Sequence, residues 1–283
     1  MAIINGTWYD YDARAARIEL IEERIKRLEK LRKKGALRPS QVNDLISDKK
    51  ALIRLKRIHR AEHDVLYFGM EYFSEDGNPD NPDNLIPAGV NVSNAAKFHV
   101  MLTDMLNDVT KGKVERHIAW ACPRQHAKTA WLSNIFLIHQ IVFRHKKYIV
   151  LFSETTDVAG DFITWGRYQL KLNERLRRDF GELLHVQPSR NELDNKYEFI
   201  TTSNIKVEAK GLGTQTRGLR HGSTRPDLFI LDDIESDEST STADQIAKAK
   251  AWFNDSMIPA LAKGGLVLYL GTILCYGSLL HYV

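Results

Sequence analysis

Cysteine is nearly absent, with Cys122 and Cys275 the only two thiols in 283 residues. Two cysteines make neither a disulfide framework nor a zinc site, and a reducing cytosol is the natural setting for such a chain. Long apolar runs are also missing. No stretch approaches the ~18 residues that would suggest a membrane span. The start, Met1-Ala2-Ile3-Ile4-Asn5-Gly6, has no basic region followed by an apolar stretch, which speaks against a secretory leader. What remains is an ordinary globular balance, 43% hydrophobic and 27% charged, with enough chain for one large domain or two smaller ones.

Net charge is only +4 but unevenly spread: residues 1–60 hold 16 Lys/Arg against 8 Asp/Glu, a surplus of +8 that leaves the remainder at −4. Such asymmetry marks either a nucleic-acid or partner-binding segment or simply a solvated helical face. In that region Ile18, Ile21, Ile25 and Leu28 recur at helical spacing and predict a helix over 12–34, stopped by Gly35. Ser40 begins a second helix, with Val42, Leu45, Ile46, Leu52 and Ile53 as its expected apolar stripe. A short Gly/Pro turn between the two suggests an antiparallel hairpin.

Residues 74–89 change character. Ser74-Glu75-Asp76-Gly77-Asn78-Pro79-Asp80-Asn81-Pro82-Asp83-Asn84 is turn chemistry, expected to be a linker between an N-terminal helical region (1–73) and a main domain (90–283). A helix is expected from about Asn94 to Val109. Strands and helices then alternate: strand His117–Ala121, helix Thr129 to about Phe143, strand Tyr148–Phe152 and helix Asp157–Asn173. A hairpin Tyr197–Thr201/Ile205–Ala209 turns at Ser203-Asn204, followed by strand Leu228–Leu231, helix Thr242–Leu261 and strand Leu266–Leu270. The order predicts an α/β fold, a mainly parallel central sheet flanked by helices, with an N-terminal helical extension.

The first chemical motif, Cys122-Pro123-Arg124-Gln125-His126-Ala127-Lys128-Thr129, lies between a predicted strand and helix. This is the context of the phosphate-binding loop, or P-loop, G-x-x-x-x-G-K-[S/T]. Lys128 would reach the β- and γ-phosphates, and the Thr129 hydroxyl would hold Mg²⁺. Backbone amides of residues 125–129 would wrap the phosphates at a helix N-terminus. Both glycines of the pattern are replaced, by Cys122 and Ala127, where glycine would tolerate positive φ and close approach.

The second motif is the apolar strand Leu228-Phe229-Ile230-Leu231 ending in Asp232-Asp233-Ile234-Glu235. A carboxylate there suits Mg²⁺, which prefers oxygen ligands, and Asp232 fits. A second carboxylate would polarise the attacking water; Asp233 and Glu235 compete for that part. Gly271-Thr272 ends the last strand beside the ligand crevice of an open sheet, where Thr272 reads either as a phosphate contact or as a strand-end turn. Two arginines offer charge neutralisation in phosphoryl transfer. Arg124 would act in cis and Arg217 on a neighbouring subunit's nucleotide, with Arg220 and Arg225 close by. His99, before the first strand, reads as an adenine contact or a surface histidine.

Taken in order from about Phe98 to Leu280, these pieces resemble the large terminase subunits of tailed bacteriophages. Pro123-Arg124-Gln125-His126-Ala127-Lys128-Thr129 is similar to that family's variant P-loop. Phe152-Ser153-Glu154-Thr155 with Ala159 and Phe162 resembles its second strand and helix. Gly211-Leu212-Gly213, Arg217-Gly218 and Arg225-Pro226-Asp227 lead into the acidic strand, and Trp252-Phe253 and Gly271-Thr272 resemble the stretch up to the coupling motif. The resemblance implies a P-loop NTPase fold, ATP and Mg²⁺ as cofactors, and hydrolysis that drives double-stranded DNA into a procapsid. It also implies a portal protein and a small terminase subunit as partners, and the host cytoplasm as the setting. The assembly it implies is a ring-shaped homo-oligomer on the procapsid and a monomer alone. Lys128, Thr129, Asp232, Thr272 and Arg217 take the corresponding family roles; the usual catalytic Glu is Asp233 here. The family's C-terminal nuclease domain has no room before Val283, so an isolated ATPase domain is expected.

Two rivals share these features: another DNA-directed P-loop enzyme such as a helicase, and a non-catalytic module whose loop no longer binds nucleotide. A GTPase is disfavoured, since no Asn/Thr-Lys-x-Asp element is present.

Overall fold

A computed structural model describes residues 3–4, 7–124 and 126–283, with side chains from Tyr9 onward. Gln125, one of the expected phosphate-loop residues, lies outside the described residues. Ile3–Ile4 (β1) and Thr7–Trp8 (β2) form a short antiparallel pair. Asp10 then caps helix α1 (Tyr11–Lys33), its carboxylate accepting from the Ala13 N–H at 2.9 Å. Gly35, at φ 66°, turns the chain into α2 (Pro39–Glu62), which has proline at its start.

The expected hairpin forms, but the face of α2 differs from expectation. Leu45 and Leu55 are buried against Ile21, Ile25 and Leu28 of α1. Val42, Ile46 and Ile53 point to solvent, at 42%, 50% and 65% exposure. The reason is tertiary. The C-terminal half of α2 is gripped by the main body, with Ile58 and Ala61 in its core, and that grip fixes the helix rotation.

Helix α3 (Val65–Phe73) is nearly all buried. It comes so close to the main body that a Cβ on Gly69 would meet the Trp131 ring at 2.6 Å. The 74–89 segment is turn-rich, as its composition predicts, and it is pinned. Asn78 and Asn81 donate to Asn173 (3.0 Å) and Gln169 (3.1 Å), while Asn84 donates back to the Asn78 and Asn81 carbonyls. Helix α4 (Lys97–Thr110) follows.

The α/β body holds a six-stranded sheet in the order β3-β8-β7-β4-β6-β5. Its strands are β3 (Ile118–Ala121), β4 (Tyr148–Ser153), β5 (Glu198–Ile200), β6 (Lys206–Gly211), β7 (Leu228–Asp232) and β8 (Leu266–Gly271). All neighbours are parallel except β5, which pairs antiparallel with β6 across a turn where Asn204 takes φ 60°. Helices cover both faces, so strands β4, β7 and β8 are buried throughout.

Alternate side chains feed two cores. Leu228 and Ile230 join the larger one, with the wide-turned helix Ala130–Phe136 and its continuation α5 (Leu137–Val142). Helices α6 (Thr156–Leu172) and α7 (Glu174–Phe180) lie on this side. Phe229 and Leu231 join the smaller core with Trp252, Phe253, Met257 and Leu279. That side carries α8 (Ala243–Trp252), a wide turn Phe253–Met257, α9 (Ile258–Ala260) and α10 (Leu279–Tyr282). Among the described residues no helix is long and apolar enough to cross a membrane.

The hairpin is locked to the body through one carboxylate. Asp179 of α7 has no exposure. It accepts from Arg54 (3.1 Å), Arg57 (2.9 Å) and the Tyr72 hydroxyl (2.7 Å). Removing one member of a buried charged network strands its partners, at about 3–5 kcal/mol. Asp179→Ala is therefore expected to lower unfolding free energy by roughly that amount, read in denaturant melts. A loss within about 1 kcal/mol, the usual surface effect, would show that apolar packing alone docks the hairpin.

Candidate functional site

The tips of the parallel strands bring Lys128, Asp233 and Thr272 side by side, with Asp232 next in the chain. After β3 the chain leaves the sheet through Cys122, whose N–H donates to the Gly271 carbonyl at 2.8 Å. It re-enters a helix at Lys128, after Ala127 at φ 52°. Positive φ crowds a Cβ and costs an L-residue about 1 kcal/mol or more. The loop thus adopts at Ala127 a backbone shape for which glycine is the usual choice. Arg124 and His126 are exposed. The His126 ring sits on the Arg124 carbonyl (2.8 Å), and the His99 ring on the His126 carbonyl (3.0 Å).

Lys128 is 5% exposed. Its ammonium donates to Asp233 Oδ1 at 2.7 Å and to the Thr272 hydroxyl at 3.1 Å. Thr272 in turn donates from its hydroxyl to the Cys122 carbonyl (3.1 Å) and from its N–H to Asp233 Oδ1 (3.2 Å). Strand topology explains the meeting. β8 lies between β3 and β7, so Thr272 at its end faces the loop on one side and the acidic strand on the other. Asp233 takes φ 43° and its N–H donates to the Leu270 carbonyl. That left-handed kink turns it toward β8 and Lys128.

Asp232 differs from its neighbour. It is 1% exposed. Its Oδ2 accepts from Ser133 at 2.7 Å, while Oδ1 is buried without a hydrogen-bond partner among the described residues. Burial pushes its pKa up to about 6, against the opposing pull of the Ser133 and Thr129 hydroxyls and of Lys128. A buried, half-satisfied carboxylate flanked by hydroxyls offers an all-oxygen donor set, the kind a hard cation such as Mg²⁺ takes. Sequence reasoning missed Ser133, although it falls four residues after Thr129, on the same face of a helix. It also missed Ser153, whose hydroxyl donates to the Asp232 carbonyl at 3.0 Å.

Glu235 is committed elsewhere. Its carboxylate accepts from the Leu279 N–H (2.6 Å), the Leu280 N–H (3.0 Å) and the Tyr269 hydroxyl (3.0 Å). Burial and this carboxylate push the Tyr269 phenol well up. Three donors hold Glu235 as a clasp on α10. The cleft beyond, about 460 Å³, is lined by Arg124, Glu154, Asp233, Glu235, Asp237 and Glu238 among others. Arg217 is not brought to this cluster. It lines a separate cavity of about 300 Å³ with Arg220, Arg225 and Asp255.

Two outcomes test this geometry. The folded-state pKa of Asp232 lies above the usual carboxylate value, so the fold binds its proton more tightly than the unfolded chain does. The stability tied to that proton is full below about pH 4 and is lost as pH rises through about 6, on the order of 2–3 kcal/mol. Asp232→Asn is expected to raise unfolding free energy by up to that amount near neutral pH and by clearly less at about pH 5. An equal change at both pH values would exclude a penalised buried charge. Glu235→Ala is expected to cost about 2–4 kcal/mol by orphaning two buried N–H groups and the Tyr269 hydroxyl. Unchanged denaturation midpoints would contradict the clasp.

A scan against models of known protein families finds no match, and a search of curated proteins finds no significant relative.

Proposed function

We propose that this chain is a P-loop NTPase that binds ATP with Mg²⁺ at the strand tips and hydrolyses it to move double-stranded DNA. The observation that carries the nucleotide part is the buried Lys128 ammonium, held at the head of a helix by Asp233 and Thr272 and one residue before Thr129. A triphosphate is the ligand for which such an ammonium, a helix N-terminus and a strand-tip carboxylate are jointly suited.

The electrostatics favour a metal complex over free nucleotide. Glu154, Asp233, Glu235, Asp237 and Glu238 line the cleft with Arg124, and Lys128 is the ion-pair partner of Asp233. A bare triphosphate would meet net repulsion there. Thr129 and Asp232 are the residues to hold Mg²⁺, which supplies charge neutralisation at the β- and γ-oxygens. When phosphate takes Lys128, Asp233 loses its ion-pair partner and Thr272 loses a donor. Thr272 is tied to both β8 and the loop, so the nucleotide state is coupled to the strand ends. Arg124 faces the cleft in cis; Arg217, on its separate cavity, is available only to a neighbouring copy.

The DNA-packaging part rests on the motif series that resembles large terminase subunits, and on the basic N-terminal helices. Portal, small-subunit and ring partners follow from that resemblance. Part of the N-terminal charge is already neutralised in the fold: Arg24 pairs with Asp48, Lys49 with Glu29, Lys56 with Glu22, and Arg54 and Arg57 with Asp179.

Lys128→Ala tests the nucleotide reading. Steady-state ATP hydrolysis is expected to fall by roughly 10²–10³-fold, as when a transition-state charge stabiliser is removed, with ATP affinity by calorimetry falling in parallel. Turnover equal to wild type would remove the reading.

A further inference from the structure

Besides Asp232 at the end of β7, the carboxylates Asp233, Glu235 and Glu154 stand just beyond the tips of β7 and β4, and their bonding separates them. Asp233 is turned by its left-handed backbone toward β8, where it holds Lys128 and the Thr272 N–H. Glu235 has its lone pairs filled by the Leu279 and Leu280 N–H groups and by Tyr269, in a buried setting. Glu154 is exposed, makes no hydrogen bond or ion pair with other described residues, and lines the same cleft as Arg124 and Asp233.

Phe152 pairs with Leu231 in parallel register, and Glu154 and Asp233, each one residue past the end of its strand, line the same cleft. The tip of β4 is fixed on both sides: the Ser153 hydroxyl donates to the Asp232 carbonyl at 3.0 Å, and the Leu212 N–H to the Ser153 carbonyl at 3.1 Å. Asp237 and Glu238 also line the cleft, but they ride on a turn closed by Ser236, Ser239 and Thr240, beyond the strand. Glu154 is thus an exposed carboxylate one residue past a strand end that is tied to the Asp232 backbone, and it lines the same cleft as Arg124.

We infer that Glu154, rather than the residue that follows Asp232, is the catalytic carboxylate that orients and deprotonates the attacking water; this rests on the ATPase reading above. The water oxygen forms a bond to the γ-phosphorus as the bond from that phosphorus to the β–γ bridging oxygen breaks. The bond's electron pair leaves with ADP. The water proton passes to Glu154 and from there to solvent or to the departing phosphate. Asp233 serves as a positioning residue that sets Lys128.

The experiment compares Glu154→Gln and Asp233→Asn with wild type, using ATP and Mg²⁺ as the probe, in calorimetric binding and in single-turnover hydrolysis across pH. Glu154 is exposed and the Gln side chain is isosteric, so the fold is expected to persist, as a thermal melt would show. Glu154→Gln is expected to bind Mg·ATP within about 3-fold of wild type and to slow single turnover by roughly 10²–10⁴-fold, the usual worth of a general base. It is also expected to flatten the acidic limb of the pH profile. Asp233→Asn is expected to change ATP affinity more than the turnover of bound ATP. Hydrolysis by Glu154→Gln within about 3-fold of wild type, with Asp233→Asn inactive though it binds ATP, would overturn the assignment and leave the ATPase reading standing. Wild type that binds no Mg·ATP would bring both down.

Discussion

The Lys128 ammonium is the contact on which the strand-tip arrangement turns. A cation at 5% exposure is tolerable only when charge and hydrogen bonds replace its water. Here Asp233 supplies the charge and Thr272 a second acceptor. Each of the three comes from a different segment: the loop after β3, the end of β7 and the end of β8. Their meeting ties those segments together, so the loop's shape, including the left-handed Ala127, is held by the sheet and not by glycines of its own. Tertiary contacts thus offset about 1 kcal/mol of local strain in a loop without glycines of its own.

The strand order makes the meeting possible. Had β7 lain directly beside β3, Asp232 and the loop would face each other with nothing between. With β8 interposed, Thr272 bridges them, and any ligand that draws Lys128 away from Asp233 is felt at the end of β8. Asp232, one residue earlier on a straight strand, points to the opposite side and reaches Ser133 on the loop helix. Two successive carboxylates thus divide the work by backbone geometry: one buried with its pKa raised, the other half-exposed and ion-paired.

Much of this was legible in the sequence, and the reasons are local. The strands read as apolar runs because helices cover both faces, so alternate residues of β7 enter different cores and none needs to be polar. The β5–β6 hairpin was readable because Asn204 tolerates positive φ. Lys128, Asp232 and Thr272 were readable because strand ends of a parallel sheet converge on one crevice. The misses are all non-local. Val42, Ile46 and Ile53 looked like a core stripe, since nothing in α2 itself reveals that its C-terminal half is gripped by the main body, through Ile58, Ala61 and the Asp179 ion pairs. The pinning of the 74–89 segment could not be read locally, because the partners of its asparagines lie about 90 residues away. Glu235 looked available because its donors come from the end of the chain.

Backbone geometry also sets Asp233 apart from Asp232. A carboxylate that follows a strand-end Asp on an extended backbone would alternate toward the opposite face, over the cleft. Asp233 instead takes φ 43°, and the kink sends it sideways to β8. Glu154, one residue past the end of the adjacent strand β4, lines the same cleft and makes no hydrogen bond with other described residues. In a parallel sheet, neighbouring strand tips stand closer together than residues two apart on one strand. The chemical partner of a strand-tip acid therefore belongs as naturally to the next strand as to the next residue.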